Sequence, residues 1–203
     1  MPNLKFLLLS GNQITGIIPK SIGYMSSLEI LDLSRNSFTR SIPSSISNCS
    51  YLIFLSLKEF NLFGTILKSF GQLIWLRSLH LSKNKLSGEL PSSFQNLSML
   101  EILDLSYNKL WGNILAWIGA TFTSLRILEL RSNAFSRGLL FYLSNLSSLH
   151  ILDLAKNKLS GSIPSTLGDL KAMAKNKYLS PYLYRLYISF KSFEDSLIVK
   201  TKC

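Results

Sequence analysis

Leu4, Leu28, Leu52, Leu76, Leu100, Leu125 and Leu149 open seven copies of one phrase, at intervals of 24, 24, 24, 24, 25 and 24 residues. Each copy reads L-x-x-L-x-L-x-x-N-x-L-x-G-x-I-P with few departures. The first fills it with Leu4, Leu7, Leu9, Asn12, Ile14, Gly16, Ile18 and Pro19. The seventh uses Leu149, Leu152, Leu154, Asn157, Leu159, Gly161, Ile163 and Pro164. A period this regular excludes a single irregular core. It requires one small unit stacked many times.

The fourth and sixth positions of the phrase are apolar and their neighbours vary, which is the alternation of a short strand with one buried face. One such strand cannot bury its leucines alone, so the copies must stack into a solenoid of parallel strands. Each leucine or isoleucine buried there contributes roughly 1.5–3 kcal/mol. The asparagine at position nine falls where the chain turns inward, and its amide can satisfy backbone groups leaving the strand. Six copies keep it, as Asn12, Asn36, Asn84, Asn108, Asn133 and Asn157. The third has Phe60, so that rung is expected to be slipped or broken.

Two further apolar lines follow the glycine. One runs Ile22, Ile46, Phe70, Phe94, Ile118, Leu143, Leu167, and the other Met25, Cys49, Leu73, Leu97, Phe122, Leu146, Leu170. They fill the outer side of each coil and make Cys49 a small core residue. The extra residue of the 25-residue copy falls in Ile118–Phe122, on the convex side.

The phrase resembles the plant-type leucine-rich repeat over residues 4 to 170, in which G-x-I-P adds a lateral strand to every coil. That resemblance implies an α/β repeat fold, a right-handed solenoid of seven coils with parallel strands on its concave face. Arg40 and Arg137 replace the glycine, while Leu67, Leu115 and Leu140 replace the proline. The sixth copy has lost both, which puts its lateral strand in doubt.

The phrase stops at Leu170, and residues 171 to 203 form a second, non-repeat segment. It carries Tyr178, Tyr182, Tyr184 and Tyr187 and a net charge of +5, from seven Lys or Arg less Glu194 and Asp195. "LGDLKAMA", a Tyr-rich stretch and "DSLIVKTK" resemble the island that interrupts the array in plant receptor-like proteins, the xylanase-elicitor receptor group above all. Cys203 stands where that family usually has Gly. The resemblance implies an internal piece or truncated form of such an ectodomain, lying on the outer face of the plasma membrane in the full receptor. The start "MPNLKFLLLSG" imitates a signal peptide, but its apolar core is short and the repeat register accounts for the same residues. No run reaches the roughly 18 apolar residues of a membrane span.

Catalytic chemistry has little to draw on. His80 and His150 lie on variable strand positions expected to face solvent, with no cluster at metal-ligand spacing. Phosphate-loop, nucleophile-elbow and zinc-protease motifs are missing. Asp32, Asp104 and Asp153 recur only because "LDL" recurs.

The outward strand positions form rows instead. One reads Phe6, Ile30, Phe54, Ser78, Ile102, Ile127, Ile151, and the next Leu8, Asp32, Ser56, His80, Asp104, Glu129, Asp153. A third reads Ser10, Ser34, Lys58, Ser82, Ser106, Arg131, Ala155. Beside them Arg35, Lys83, Tyr107, Lys156, Lys85, Lys109 and Lys158 make a basic margin. Most are stock residues of the repeat, and a solvated surface would need nothing more. Phe54, Lys58, His80, Tyr107, Glu129 and Arg131 depart from stock and are the candidate ligand contacts.

Three N-x-S sequons, at Asn48, Asn96 and Asn145, each fall 20 residues after an opening leucine, in the second, fourth and sixth copies. This outer placement suits N-glycans on an extracellular solenoid. The resemblance implies recognition without catalysis or cofactor, of a secreted protein or peptide ligand, with a receptor kinase partner in the membrane. Nucleic acid is not among the implied partners. A secreted inhibitor of wall-degrading enzymes uses the same repeat and is the alternative, as is a truncated product without function. The net charge of +11 favours anionic partners, and the basic margin could meet pectin.

Overall fold

A computed structural model describes residues 3–114, 117–137 and 141–169. Leu115, Leu140, Leu170 and the island from Lys171 onward lie outside the described residues.

Strands Phe6–Leu8, Ile30–Asp32, Phe54–Ser56, Ser78–His80, Ile102–Asp104, Ile127–Glu129 and Ile151–Asp153 form one seven-stranded sheet in chain order. All pairs are parallel, with Phe6 beside Ile30, Phe54 beside Ser78 and Ile127 beside Ile151. This is the concave sheet of a right-handed leucine-rich solenoid. A second sheet, also seven-stranded, takes one lateral strand from every copy. The outer side is built of short 3₁₀ helices such as Ser44–Asn48 and Lys68–Gln72. The 25-residue copy has an α-helix, Trp117–Thr121, in their place, which absorbs its extra residue. Among the described residues no helix is long and apolar enough to cross a membrane.

The core is one continuous column. Leu28, Leu52, Leu76, Leu100, Leu125 and Leu149 are fully buried, as are Leu31, Leu55, Leu79, Leu103 and Leu128. Ile46, Phe70, Phe94, Ile118 and Phe122 close it from the outside. Cys49 is buried with them, and its Sγ donates to the Ile22 carbonyl at 3.3 Å. Burial pushes its thiol pKa up, which suits an inert core residue. The first coil is different: Leu4, Leu7 and Leu9 are only partly buried, while Phe6 and Leu8 stand out at 53% and 62% exposure.

The asparagine ladder works through three strands at once. Asn84 Nδ2 donates to the carbonyls of Leu57 at 2.8 Å and Leu81 at 3.0 Å, and its Oδ1 accepts the Leu62 amide at 3.1 Å. Asn36, Asn108, Asn133 and Asn157 repeat this pattern. A buried peptide group left unmade costs about 1–3 kcal/mol, so each asparagine pins its rung to its neighbour.

Two expectations need correction. The third rung is neither slipped nor broken. Phe60 is buried and meets Phe38 edge-to-face, with centroids 5.3 Å apart at 78°. Register holds on both sides, Thr39 beside Asn61 and Phe54 beside Ser78. Aromatic packing and the surrounding strand ladders keep the frame where the amide is missing. The lateral strand of the sixth copy also forms, as Ala134–Arg137, paired to both neighbours. Arg137 has φ +67° and Arg40 φ +71°, the region that Gly64 and Gly88 occupy in their copies. The strained residues are held in place by the strands around them.

Gly71 has another role. A Cβ there would sit 2.4 Å from the Ser93 carbonyl oxygen. The absent side chain lets the helices of adjacent coils touch through backbone.

Candidate recognition surface

Each concave strand points its central leucine inward and the residues either side of it outward. Successive rungs keep these outward residues in line, since Leu8 pairs with Asp32, Asp32 with Ser56, Ser56 with His80 and His80 with Asp104. Glu129 and Asp153 continue that row. The expected rows therefore exist as geometry.

Their exposure differs from expectation. Phe54 and Lys58 are each 3% exposed, His80 4% and Glu129 8%. None of the four presents an open surface. Within the described residues the contacts run sideways along the solenoid. Phe54 and His80 stack at a tilt with ring centres 5.4 Å apart. Ile102 and Ile127 form a second apolar cluster with Ile151 packed against it, separate from the main core. Parallel strands about 4.8 Å apart bring equivalent side chains into contact, so a row of large residues covers itself.

His80 and Asp104 anchor the polar part. His80 Nε2 lies 2.8 Å from Ser78 Oγ, and its Nδ1 is 3.8 Å from Asp104 Oδ2. Asp104 Oδ2 accepts Ser82 Oγ at 2.5 Å, while Oδ1 accepts Ser106 Oγ at 2.6 Å and the Ser106 amide at 3.1 Å. Burial alone would raise the Asp104 pKa. His80, Ser106 and Ser82 outweigh it, and the carboxyl is held below its ordinary value. Asp32 accepts the Ser34 amide and hydroxyl in the same way, and Asp153 accepts the Ala155 amide. Asp32, Asp104 and Asp153 thus each brace the turn after their own strand, a role that their repetition in "LDL" did not reveal.

Tyr107 and Arg131 remain accessible. Tyr107 sits at φ +54°, where the chain leaves the strand, and is 45% exposed. Arg131 Nε donates to Asp153 Oδ2 at 2.6 Å, with a third of its side chain open. That hydrogen bond and charge raise the Arg131 pKa, so its charge is permanent. The margin beside them is less uniformly basic than expected, because Glu59 pairs with Arg35 at 3.4 Å and Lys83 at 3.3 Å.

His150 is half-buried, with Nδ1 2.7 Å from the Ser148 carbonyl. Among the described residues no three His, Cys, Asp or Glu side chains converge as metal ligands. Asn48, Asn96 and Asn145 are exposed, and each is the last residue of its 3₁₀ helix.

Leucine-rich-repeat family models match residues 2–63, and 75–97, 99–120 and 148–170, more than half of the chain together. No curated protein matches. Among solved structures, the plant peptide hormone receptor RGFR1 in complex with RGF2 is 36% identical, with a TM-score of 0.81. That match covers 84% of this chain and 27% of the receptor. The Arabidopsis receptor kinase HAESA ectodomain, bound to an extended IDA peptide hormone, is 35% identical over 81% of this chain and 27% of its own, with a TM-score of 0.77. A plant ice-binding protein is 27% identical with a TM-score of 0.68, covering 83% of this chain and 62% of its own. The chain spans about a quarter of the length of the receptors it matches. With its asparagine ladder, its two parallel sheets and these matched segments, the chain belongs to the leucine-rich-repeat family.

Proposed function

We propose that the chain is the ligand-recognition part of a plant cell-surface receptor-like protein, extracellular and without catalysis. The observation that carries this is the rigid concave sheet with Tyr107 and Arg131 at its open rim, on a scaffold 36% identical to a peptide-hormone receptor. A secreted peptide or small protein is the ligand. Tyrosine and arginine suit it, being the residues in which interface hot spots are enriched. Phe54, Lys58, His80 and Glu129 shape the floor beneath that rim, and their burial assigns them to positioning more than to first contact.

In finer terms, we read the protein as a receptor of the xylanase-elicitor type acting in defence, signalling through a membrane receptor kinase. Residues 171–203 are its island, and Asn48, Asn96 and Asn145 carry its glycans.

The test is photo-crosslinking of the secreted chain to peptides in plant extracellular fluid, then titration of any peptide recovered. Saturable binding that weakens at least about tenfold in Arg131→Ala supports the proposal. Recovery of wall-degrading enzymes alone, with inhibition of their activity, would establish the inhibitor reading in its place.

A further inference from the structure

A second face of the solenoid has its own chemistry. On the lateral sheet the outward positions Phe63 and Trp111 are 54% and 51% exposed. Phe63 is beside Lys85, and Ser87 is beside Lys109, two residues before Trp111. The lateral strands pair residue i with i+22 where the repeat is 24, and Trp111 with Ala134 where it is 25, so equivalent positions step along the sheet by two residues per rung. Two strand spacings of about 4.8 Å and a four-residue stagger at about 3.3 Å each put Phe63 and Trp111 roughly 16 Å apart. Both stand on hydrogen-bonded strands, so the platform is rigid.

Charge on this face is one-sided. Arg40, Lys85, Lys109, Arg137 and Lys158 are exposed there, against Glu89, which lies over Gly112 beside Trp111. None of these five cations has a carboxylate within ion-pair distance among the described residues. Uncompensated cations on a rigid face draw an anion, and open aromatic rings draw a flat partner with C–H groups to lay on them.

We propose that the lateral sheet binds an anionic polysaccharide, a chain of uronic-acid residues. Phe63 and Trp111 stack on the C–H faces of two sugar rings several units apart. Lys85 and Lys109 pair with the carboxylates between them, and Ser87 and Glu89 meet hydroxyls. A peptide is disfavoured here. The interior lateral strands are hydrogen-bonded on both sides, which leaves no backbone edge for strand addition. The sequon asparagines stand on the outer 3₁₀ helices, apart from this sheet.

The test is affinity electrophoresis and calorimetry of the full chain with polygalacturonate, with dextran sulfate as a polyanion lacking uronic acids. Phe63→Ala with Trp111→Ala, and separately Lys85→Gln with Lys109→Gln, should each weaken polygalacturonate binding at least tenfold. Tyr51→Ala, an exposed aromatic elsewhere, should leave it unchanged. Circular dichroism of each variant reports folding. Equal affinity for dextran sulfate, undiminished in the aromatic variant, would reduce the site to nonspecific charge and overturn the proposal. Capture of an acidic protein with no polygalacturonate binding would overturn it as well. Peptide recognition at the concave rim is measured separately, so either proposal can fail alone.

Discussion

The Tyr107 amide donates to the Arg131 carbonyl at 2.8 Å, tying the phenol and the guanidinium to adjacent rungs. Neither side chain can drift relative to the other without breaking the ladder. On the proposed reading, Tyr107→Ala or Arg131→Ala is expected to weaken peptide binding at least about tenfold, roughly 1.4 kcal/mol. Thr121→Ala, on the convex side, should leave the affinity as it was. Normal binding in both concave variants, with loss on deleting 171–203, would move the proposed site to that segment.

Acid should destabilise the protein through Asp104. Its pKa is lowered by folding, so the stabilisation it provides is present above the unfolded value, ordinarily 3.8, and is lost as pH falls through the folded value. Asp104→Asn should therefore unfold at lower denaturant concentration than the parent at pH 7. The gap should narrow below pH 3.8 as the parent carboxyl takes up its proton. Chemical denaturation across pH measures this, and a pH-independent gap would contradict it.

Arg40 occupies a conformation that glycine adopts without steric cost. Arg40→Gly should raise stability by about 1 kcal/mol, since a non-glycine residue at positive φ costs roughly 1–2 kcal/mol and glycine gives some of that back as chain entropy. A lower denaturation midpoint in Arg40→Gly would show that the arginine side chain makes contacts worth more than the strain.

Gly71 tests the opposite case. Its Cβ would meet backbone that cannot swing aside, so Gly71→Ala should cost about 1–3 kcal/mol despite adding one methyl group. Gly11, with nothing near its own Cβ position, has positive φ and no such close approach. A Gly71→Ala protein as stable as the parent would mean that the coils separate easily.

Expression through a plant secretory route should load N-glycans on at least one of Asn48, Asn96 and Asn145. The three asparagines are exposed and two rungs apart, so one glycan does not block the next. Mass spectrometry after glycosidase treatment reads occupancy site by site. Unmodified peptides at all three would count against secretion.

Much of this molecule was legible in the order of its residues. The period of 24 fixes the coil, alternation of leucines fixes which side of each strand is buried, and the Asn positions fix the inward turns. These are local rules applied seven times, and repetition makes each of them unambiguous. Cys49 followed from its place in a row of apolar residues, and it is indeed buried. The tertiary structure decided what depends on contact between rungs. His80 lies at an outward position, yet Phe54, Ser78 and Asp104 surround it, which alternation within one strand cannot express. Phe60 and Arg137 broke the phrase without breaking the frame, because neighbouring ladders hold register more strongly than one residue can disturb it. Phe63 and Trp111 hold variable positions of the phrase, and only the two-residue stagger of the lateral strands sets them on one face with Lys85 and Lys109. Period and alternation determine the inside of a solenoid, while burial, strain and neighbouring charge on its outside are set by the stacking of one coil on the next.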